Sequence, residues 1–184
     1  MVQLANTDRH YGGLAIALHW LIAVLITALV AVGIYMVGLP DAGFDRKKII
    51  LILAHKEIGV LVLMLVAIRL VWRQLNPLPA LAETVPEWQQ VAAAFVHLCL
   101  YAMMLAQPVI GWLMSSAAGL GLFTLPDLVQ HDDELFARLR RMHDWLGLAM
   151  GALVCLHAAA GFWHHFMLRD ETLRKMLGPP GRSH

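Results

Sequence analysis

Four stretches of this chain are long and apolar enough to be read as membrane crossings. Leu14 to Val37 and Val91 to Ser115 run without a charged side chain, and each exceeds the roughly 20 residues a helix needs to cross a hydrocarbon core about 30 Å thick. Trp145 to Met167 is also free of charge. Ile49 to Trp72 carries Lys56 and Glu57 near its start and Arg69 near its end, positions from which long side chains reach water or meet an anionic group. A chain that is 59% hydrophobic and 15% charged fits a small soluble helical bundle poorly. Trp20, Trp72, Trp88, Trp112, Trp145 and Trp163 all lie toward segment ends, where aromatic belts form at headgroup level.

The expected fold is therefore all-α: an integral membrane four-helix up-down bundle in one domain, residues 1–184, with spans at about 14–37, 49–72, 91–115 and 140–168. Both termini fall on one side of the membrane, the terminal side. The first segment is too long, and too far from a small-residue cleavage pattern, to be a removed signal peptide. Residues 38–48, 74–87 and 117–139 are expected to connect the spans, and the tail from Gly178 through Pro179, Pro180 and Gly181 is expected to be disordered. Cys99 and Cys155 lie mid-span in separate segments and read as reduced packing residues. Lysine and arginine counts do not orient the chain. Arg9, Arg69, Arg73, Arg169, Arg174, Lys175 and Arg182 on the terminal side balance Arg46, Lys47, Lys48, Lys56, Arg138, Arg140 and Arg141 on the other.

Histidines set into these spans point to function, because an ionisable side chain in a bilayer costs several kcal/mol without a partner. His143 and His157 are fourteen residues apart on one helix, about 21 Å in depth and within about 40° of the same face. His55 starts the second span on the side of His143, and His19 starts the first on the side of His157. The depths thus pair His55 with His143 and His19 with His157. Two imidazoles facing each other in a bundle interior, with no third ligand at that depth, suit the axial positions of a haem iron, whereas zinc takes four ligands. Gly59, Gly147 and Gly161 each follow a proposed ligand by four residues. A missing side chain one turn along leaves room for a flat macrocycle, although membrane helices also use small residues simply to pack closely. Without a C-x-x-C-H attachment motif, haem would be held non-covalently, as b-type.

His97 competes as a ligand on the terminal side, but reads better as a hydrogen-bonded core histidine near a propionate or quinone. His164, seven residues beyond His157, is placed to bind or protonate a quinone, or is a solvated interfacial residue. Arg69, fourteen residues after His55, is placed to meet a propionate or to snorkel. His10, His131, His165 and His184 read as loop or surface residues, and methionines such as Met103, Met104 and Met150 as packing.

Five pieces, A-L-H-W at 17–20, H-K-E-I-G at 55–59, P-V-I-G at 108–111, H-D-W-L-G at 143–147 and L-H-A-A-A-G-F-W-H-H at 156–165, together span nearly the whole chain. In them it resembles the bacterial cytochrome b561 group of four-helix dihaem quinone oxidoreductases, whose best understood activity is superoxide oxidation. That resemblance implies two haem b groups with His19, His55, His143 and His157 as axial ligands, a bacterial inner-membrane location with both termini cytoplasmic, and ubiquinone as acceptor. It departs from the group in the loops around 38–48 and 117–139, where substrate would arrive. The expected activity is superoxide:ubiquinone oxidoreductase, and no side chain is expected to act as nucleophile or acid/base on the donor. Lys47, Lys48, Lys56, Arg140 and Arg141 flank His55 and His143, and such a basic patch would steer an anion such as superoxide. Against this, Asp127, Asp132, Asp133, Glu134 and Asp144 lie on the same side, leaving a solvated rim as the other reading. Alternative functions are a cytochrome b subunit linking a partner dehydrogenase to the quinone pool and a histidine-lined metal-ion carrier. Membrane lipid is an expected partner; nucleic acid is not.

Overall fold

Inside lipid a backbone N–H or C=O finds no partner except along its own helix, so each apolar stretch closes its hydrogen bonds as one continuous helix. The computed structural model describes residues 3–8, 10–39, 46–79, 85–120 and 125–178. Its long helices are α1 (Gly13–Val37), α2 (Arg46–Leu75), α3 (Glu87–Ala117) and α4 (Asp133–Trp163). The last runs into a π-helical turn, His164–Leu168, and a short α5 follows at Arg174–Leu177. All four long helices have the length and hydropathy to cross a membrane. Consecutive helices pack side by side and α1 also packs on α4, closing the ring. The chain is a multi-pass membrane protein built as an all-helical four-helix bundle.

Three of the helices begin earlier than the sequence pattern predicts: α2 at Arg46, α3 at Glu87 and α4 at Asp133, where residues 117–139 were expected to be a connection. Hydropathy marks where lipid ends, but arginine, lysine and glutamate sustain a helix about as well as leucine does. The start of α4 is set instead by a cap. The Asp132 carboxylate accepts hydrogen bonds from the backbone N–H groups of Glu134 (3.0 Å) and Leu135 (2.9 Å), and Asp133 and Glu134 add negative charge at the positive helix end. The expected disorder of Pro179–Gly181 lies outside the described residues, as do Arg9, Arg182 and His184.

Ile22, Ile26, Val62, Val66, Leu100 and Met150 form the buried core. Met150 lies midway along α4 between His143 and His157, so the core separates the two histidine levels. Leu21, Val24, Leu61, Met64, Ile68, Phe95, Leu98 and Leu156 are exposed, as a lipid-facing surface requires. Between helices already in lipid the gain is close packing rather than removal from water; Gly151 shows it, since a Cβ there would sit 3.2 Å from Val30 Cγ1.

On the terminal side, residues 3–8 and 10–12 fold back as a strap. Asn6 is buried, accepts a hydrogen bond from Gly12 N at 2.8 Å, and donates through Nδ2 to the Pro77 carbonyl at 3.0 Å. A Cβ on Gly12 would lie 2.1 Å from the Leu4 carbonyl oxygen, so no side chain fits where the strap crosses itself. Trp20 Nε1 donates to the Met176 carbonyl at 2.6 Å, tying α5 to α1 on that same side.

Candidate functional site

The helix pairing brings four of the singled-out histidines together as two pairs. His19 of α1 faces His157 of α4, and His55 of α2 faces His143 of α4. In both pairs the ring centres are 6.2 Å apart and the ring planes meet at 75°. A metal held midway on bonds of about 2 Å to each ring would set the ring centres about 6 Å apart. Among the described residues no group of three or more His, Cys, Asp or Glu converges to hold an ion; what faces across the bundle at each level is a pair of imidazoles.

The surroundings fit a flat ligand at each level. A Cβ built on Gly59 or Gly161 would meet nothing within 4 Å. Gly147 differs: its Cβ would lie 3.3 Å from Gln107 Nε2, so an amide takes the room beside it. Nδ1 of His55 and Nδ1 of His143 are buried with no hydrogen-bond partner. Buried polar atoms are rarely left so, and these two ring edges belong to the pair that a metal would bridge.

Three residues that support this level were missed by sequence reasoning. A Cβ on Gly111 would stand 3.2 Å from His143 Cε1, and one on Gly33 would stand 3.6 Å from His55 Cε1, so both glycines make room for imidazoles on neighbouring helices. Gln107 Nε2 donates to the His143 backbone carbonyl at 2.8 Å, linking α3 to α4. The signal for Gly111 was present in P-V-I-G, three residues after Pro108, which sits inside α3 and withdraws one backbone donor there.

The terminal-side level is richer in polar groups. His97 packs edge-on against His157, with ring centres 5.1 Å apart and planes at 67°, and His19 packs likewise on Trp20 at 5.2 Å. Arg69 donates through Nε to the Tyr101 hydroxyl at 3.1 Å and through Nη1 to the Ala15 carbonyl at 3.3 Å. His164 Nδ1 is hydrogen-bonded to the Asp170 carboxylate, both largely enclosed. The chain turns back there through Arg169 in the left-handed region, φ 55°, and Asp170 N donates to the His164 carbonyl at 3.1 Å. Burial works to raise the Asp170 pKa, but the hydrogen bonds from His164 and from Thr172 outweigh it and hold the carboxyl below its ordinary range. His165 was expected at the surface; it is half-buried, and its Nδ1 is buried without a partner.

On the opposite side, Lys47 Nζ donates to the Tyr35 hydroxyl at 2.6 Å, Lys48 Nζ to the Leu39 carbonyl at 3.2 Å and Lys56 Nζ to the Leu120 carbonyl at 2.6 Å. Arg140 and Arg141 are exposed, while Arg138 is paired with Glu134 one turn away.

The sequence model of a family described as prokaryotic cytochrome b561 matches residues 10–179. Cytochrome b561 homolog 2 of Escherichia coli (strain K12) is 30% identical over 184 residues, covering 96% of this chain and 96% of that protein. Cytochrome b561 homolog 1 of the same strain is 28% identical over 168 residues, 88% of this chain and 93% of the homolog. Similarity extends to the probable superoxide oxidase CybB of Yersinia pestis, 28% identical over 176 residues, 92% and 96% of the respective chains.

Proposed function

The chain belongs to the prokaryotic cytochrome b561 family, membrane b-type cytochromes of electron transport, and on that premise we propose that it oxidises superoxide and reduces ubiquinone. The observation that carries this reading is the pair of matching histidine gates, each 6.2 Å across, at two depths of one bundle. His19 and His157 would hold one haem b on the cytoplasmic side, and His55 and His143 a second on the periplasmic side. Both termini then lie in the cytoplasm of a bacterium, with the bundle in its inner membrane. When bound, haem supplies one-electron redox chemistry, while the protein supplies position, burial and electrostatics.

The chain's own residues do the rest. Two superoxide anions become two dioxygen molecules for each quinone that gains two electrons and two protons as quinol. Lys47, Lys48, Lys56, Arg140 and Arg141 draw the anion to the periplasmic rim. The core of Ile22, Ile26, Val62, Val66, Leu100 and Met150 keeps water from joining the two levels. Gly59 and Gly161 leave open space for the macrocycles, and Gly147 supports the packing of Gln107. Arg69 is placed to meet a propionate, with His97 packed beside it against His157. His164, held by Asp170, stands two turns beyond His157 at the cytoplasmic edge, where a quinone takes up its protons. The similarity to a probable superoxide oxidase supports the choice of donor.

Stopped-flow mixing of the purified haem-loaded protein with superoxide, with and without ubiquinone, tests the reading. Superoxide decay no faster than with buffer would refute it, and would leave a subunit that takes electrons from a partner dehydrogenase. The steering role predicts that the rate falls several-fold as ionic strength rises from about 0.01 to 0.15 M, because the Debye length shrinks from about 30 to 8 Å. Arg140→Gln with Arg141→Gln should flatten that dependence, and a salt-independent wild-type rate would remove steering. For His164→Gln, reduction by superoxide should stay at the wild-type rate while reoxidation by ubiquinone slows roughly a hundredfold, the usual worth of a positioned proton donor. Unchanged reoxidation would assign His164 no part in it.

A further inference from the structure

A small chamber on the terminal side, lined by Asn6 of the strap with Tyr11, Arg69, Trp72, Arg73 and Tyr101, is rich in donors and has no carboxylate among the described residues that line it. Trp72 Nε1 is buried with no hydrogen-bond partner, although an indole N–H can only donate. Among the described residues Arg69 and Arg73 pair with no acid; Arg69 is met by a hydroxyl and a carbonyl, and Arg73 lies over the Tyr101 ring, 5.7 Å from its centre. Burial raises the Tyr11 pKa, against the opposing pull of Arg73 and Arg69, so its phenol stays protonated and able to donate. Two guanidinium groups with no acid among the described residues, beside an indole N–H with no acceptor, leave a site that lacks an anion.

We propose that this chamber is an oxyanion site, in which Trp72 Nε1, the Tyr11 hydroxyl and the Arg73 guanidinium receive carboxylate or phosphate oxygens. Size decides the class of ligand: the chamber measures about 20 Å³, little more than the 10–15 Å³ needed for one water. An oxygen at the end of a chain enters; a quinone ring does not. A guanidinium fork suits such oxygens in two-pronged contact. The oxygens have two possible sources, a propionate of the cytoplasmic-side haem or the headgroup of an anionic phospholipid. Only the first rests on the haem assignment proposed above.

The test uses the haem-loaded protein purified in mild detergent, with Arg73→Gln, Arg73→Lys and Trp72→Phe. Potentiometric titration follows each haem, and mass spectrometry counts the phosphatidylglycerol and cardiolipin retained per chain. If a propionate fills the site, Arg73→Gln lowers the potential of the cytoplasmic-side haem alone, because a lost cation destabilises the reduced state, and Arg73→Lys restores part of the shift. If a lipid fills it, retained anionic phospholipid falls several-fold while both potentials hold. Trp72→Phe, which keeps the ring and deletes the donor, should give a smaller change of the same kind and guards against misfolding of the arginine variants. Wild-type potentials and wild-type lipid content in both Arg73→Gln and Trp72→Phe would overturn the proposal.

Discussion

Replacing His143 with alanine is expected to remove one haem and leave the other, and replacing His157 is expected to remove the opposite one. Each proposed iron depends on a pair of imidazoles, so deleting one ring leaves a single axial bond from the partner helix. The two residues are about 21 Å apart along α4, with the apolar core between them. Perturbations at such a distance combine independently. Pigment extracted into alkaline pyridine should therefore fall from two haems per chain to one in either variant and to none in the double variant. Potentiometric titration should show which transition is lost. His97→Ala is the control, since the ring centre of His97 lies 5.1 Å from that of His157, closer than the 6.2 Å between the rings of His19 and His157. It should keep both haems and shift only the cytoplasmic-side potential. Two haems per chain in both His143→Ala and His157→Ala would end the ligand assignment.

The depth pairing was legible in the sequence because a helix converts residue spacing directly into height and angle. Fourteen residues between His143 and His157 fix two levels without any knowledge of neighbours. The residues that make room around those levels were not legible to the same degree. Gly111 and Gly33 make room for His143 and His55, but spacing within α3 or α1 reports only which face a residue occupies, not which side chain the next helix presents there. Asn6 is a stronger case. Its bonds reach Gly12 and Pro77, and a contact across 71 positions leaves no local pattern to detect. Trp72 was legible as a belt aromatic and Arg73 as one charge in the terminal-side tally; their shared chamber with Tyr11 needed the strap's placement. The balanced lysine and arginine tally also changes meaning in three dimensions. Lys47, Lys48 and Lys56 each donate to an oxygen at the rim, which fixes where those side chains end. Helix starts failed for a different reason: Asp133, Glu134 and Arg138 break the apolar run at 133–139, and charge measures exposure to water rather than backbone conformation.

Gly161→Leu is expected to strip the cytoplasmic-side haem while making the helix itself more stable, and the opposition of those two signs is what makes it informative. In a helix interior, glycine costs about 0.8–1.0 kcal/mol relative to alanine and leucine ranks close to alanine. Nothing lies within 4 Å of a Cβ at Gly161, so the protein without its cofactor loses no contact and gains propensity. If a macrocycle fills that space, the new side chain collides with it, and overpacking costs about 1–3 kcal/mol, a loss of roughly five- to 150-fold in haem affinity at that level. Gly147 provides the comparison. A Cβ there meets the flexible end of Gln107 at 3.3 Å, which can swing away, so Gly147→Ala should keep both haems and weaken at most the bond from Gln107 to the His143 carbonyl. Haem content per chain, with thermal unfolding of the haem-free protein followed by circular dichroism, reads both signs on the same samples. Should Gly161→Leu retain two haems with unshifted potentials, the space beside His157 is a packing gap, and the plate must lie against another face of that imidazole.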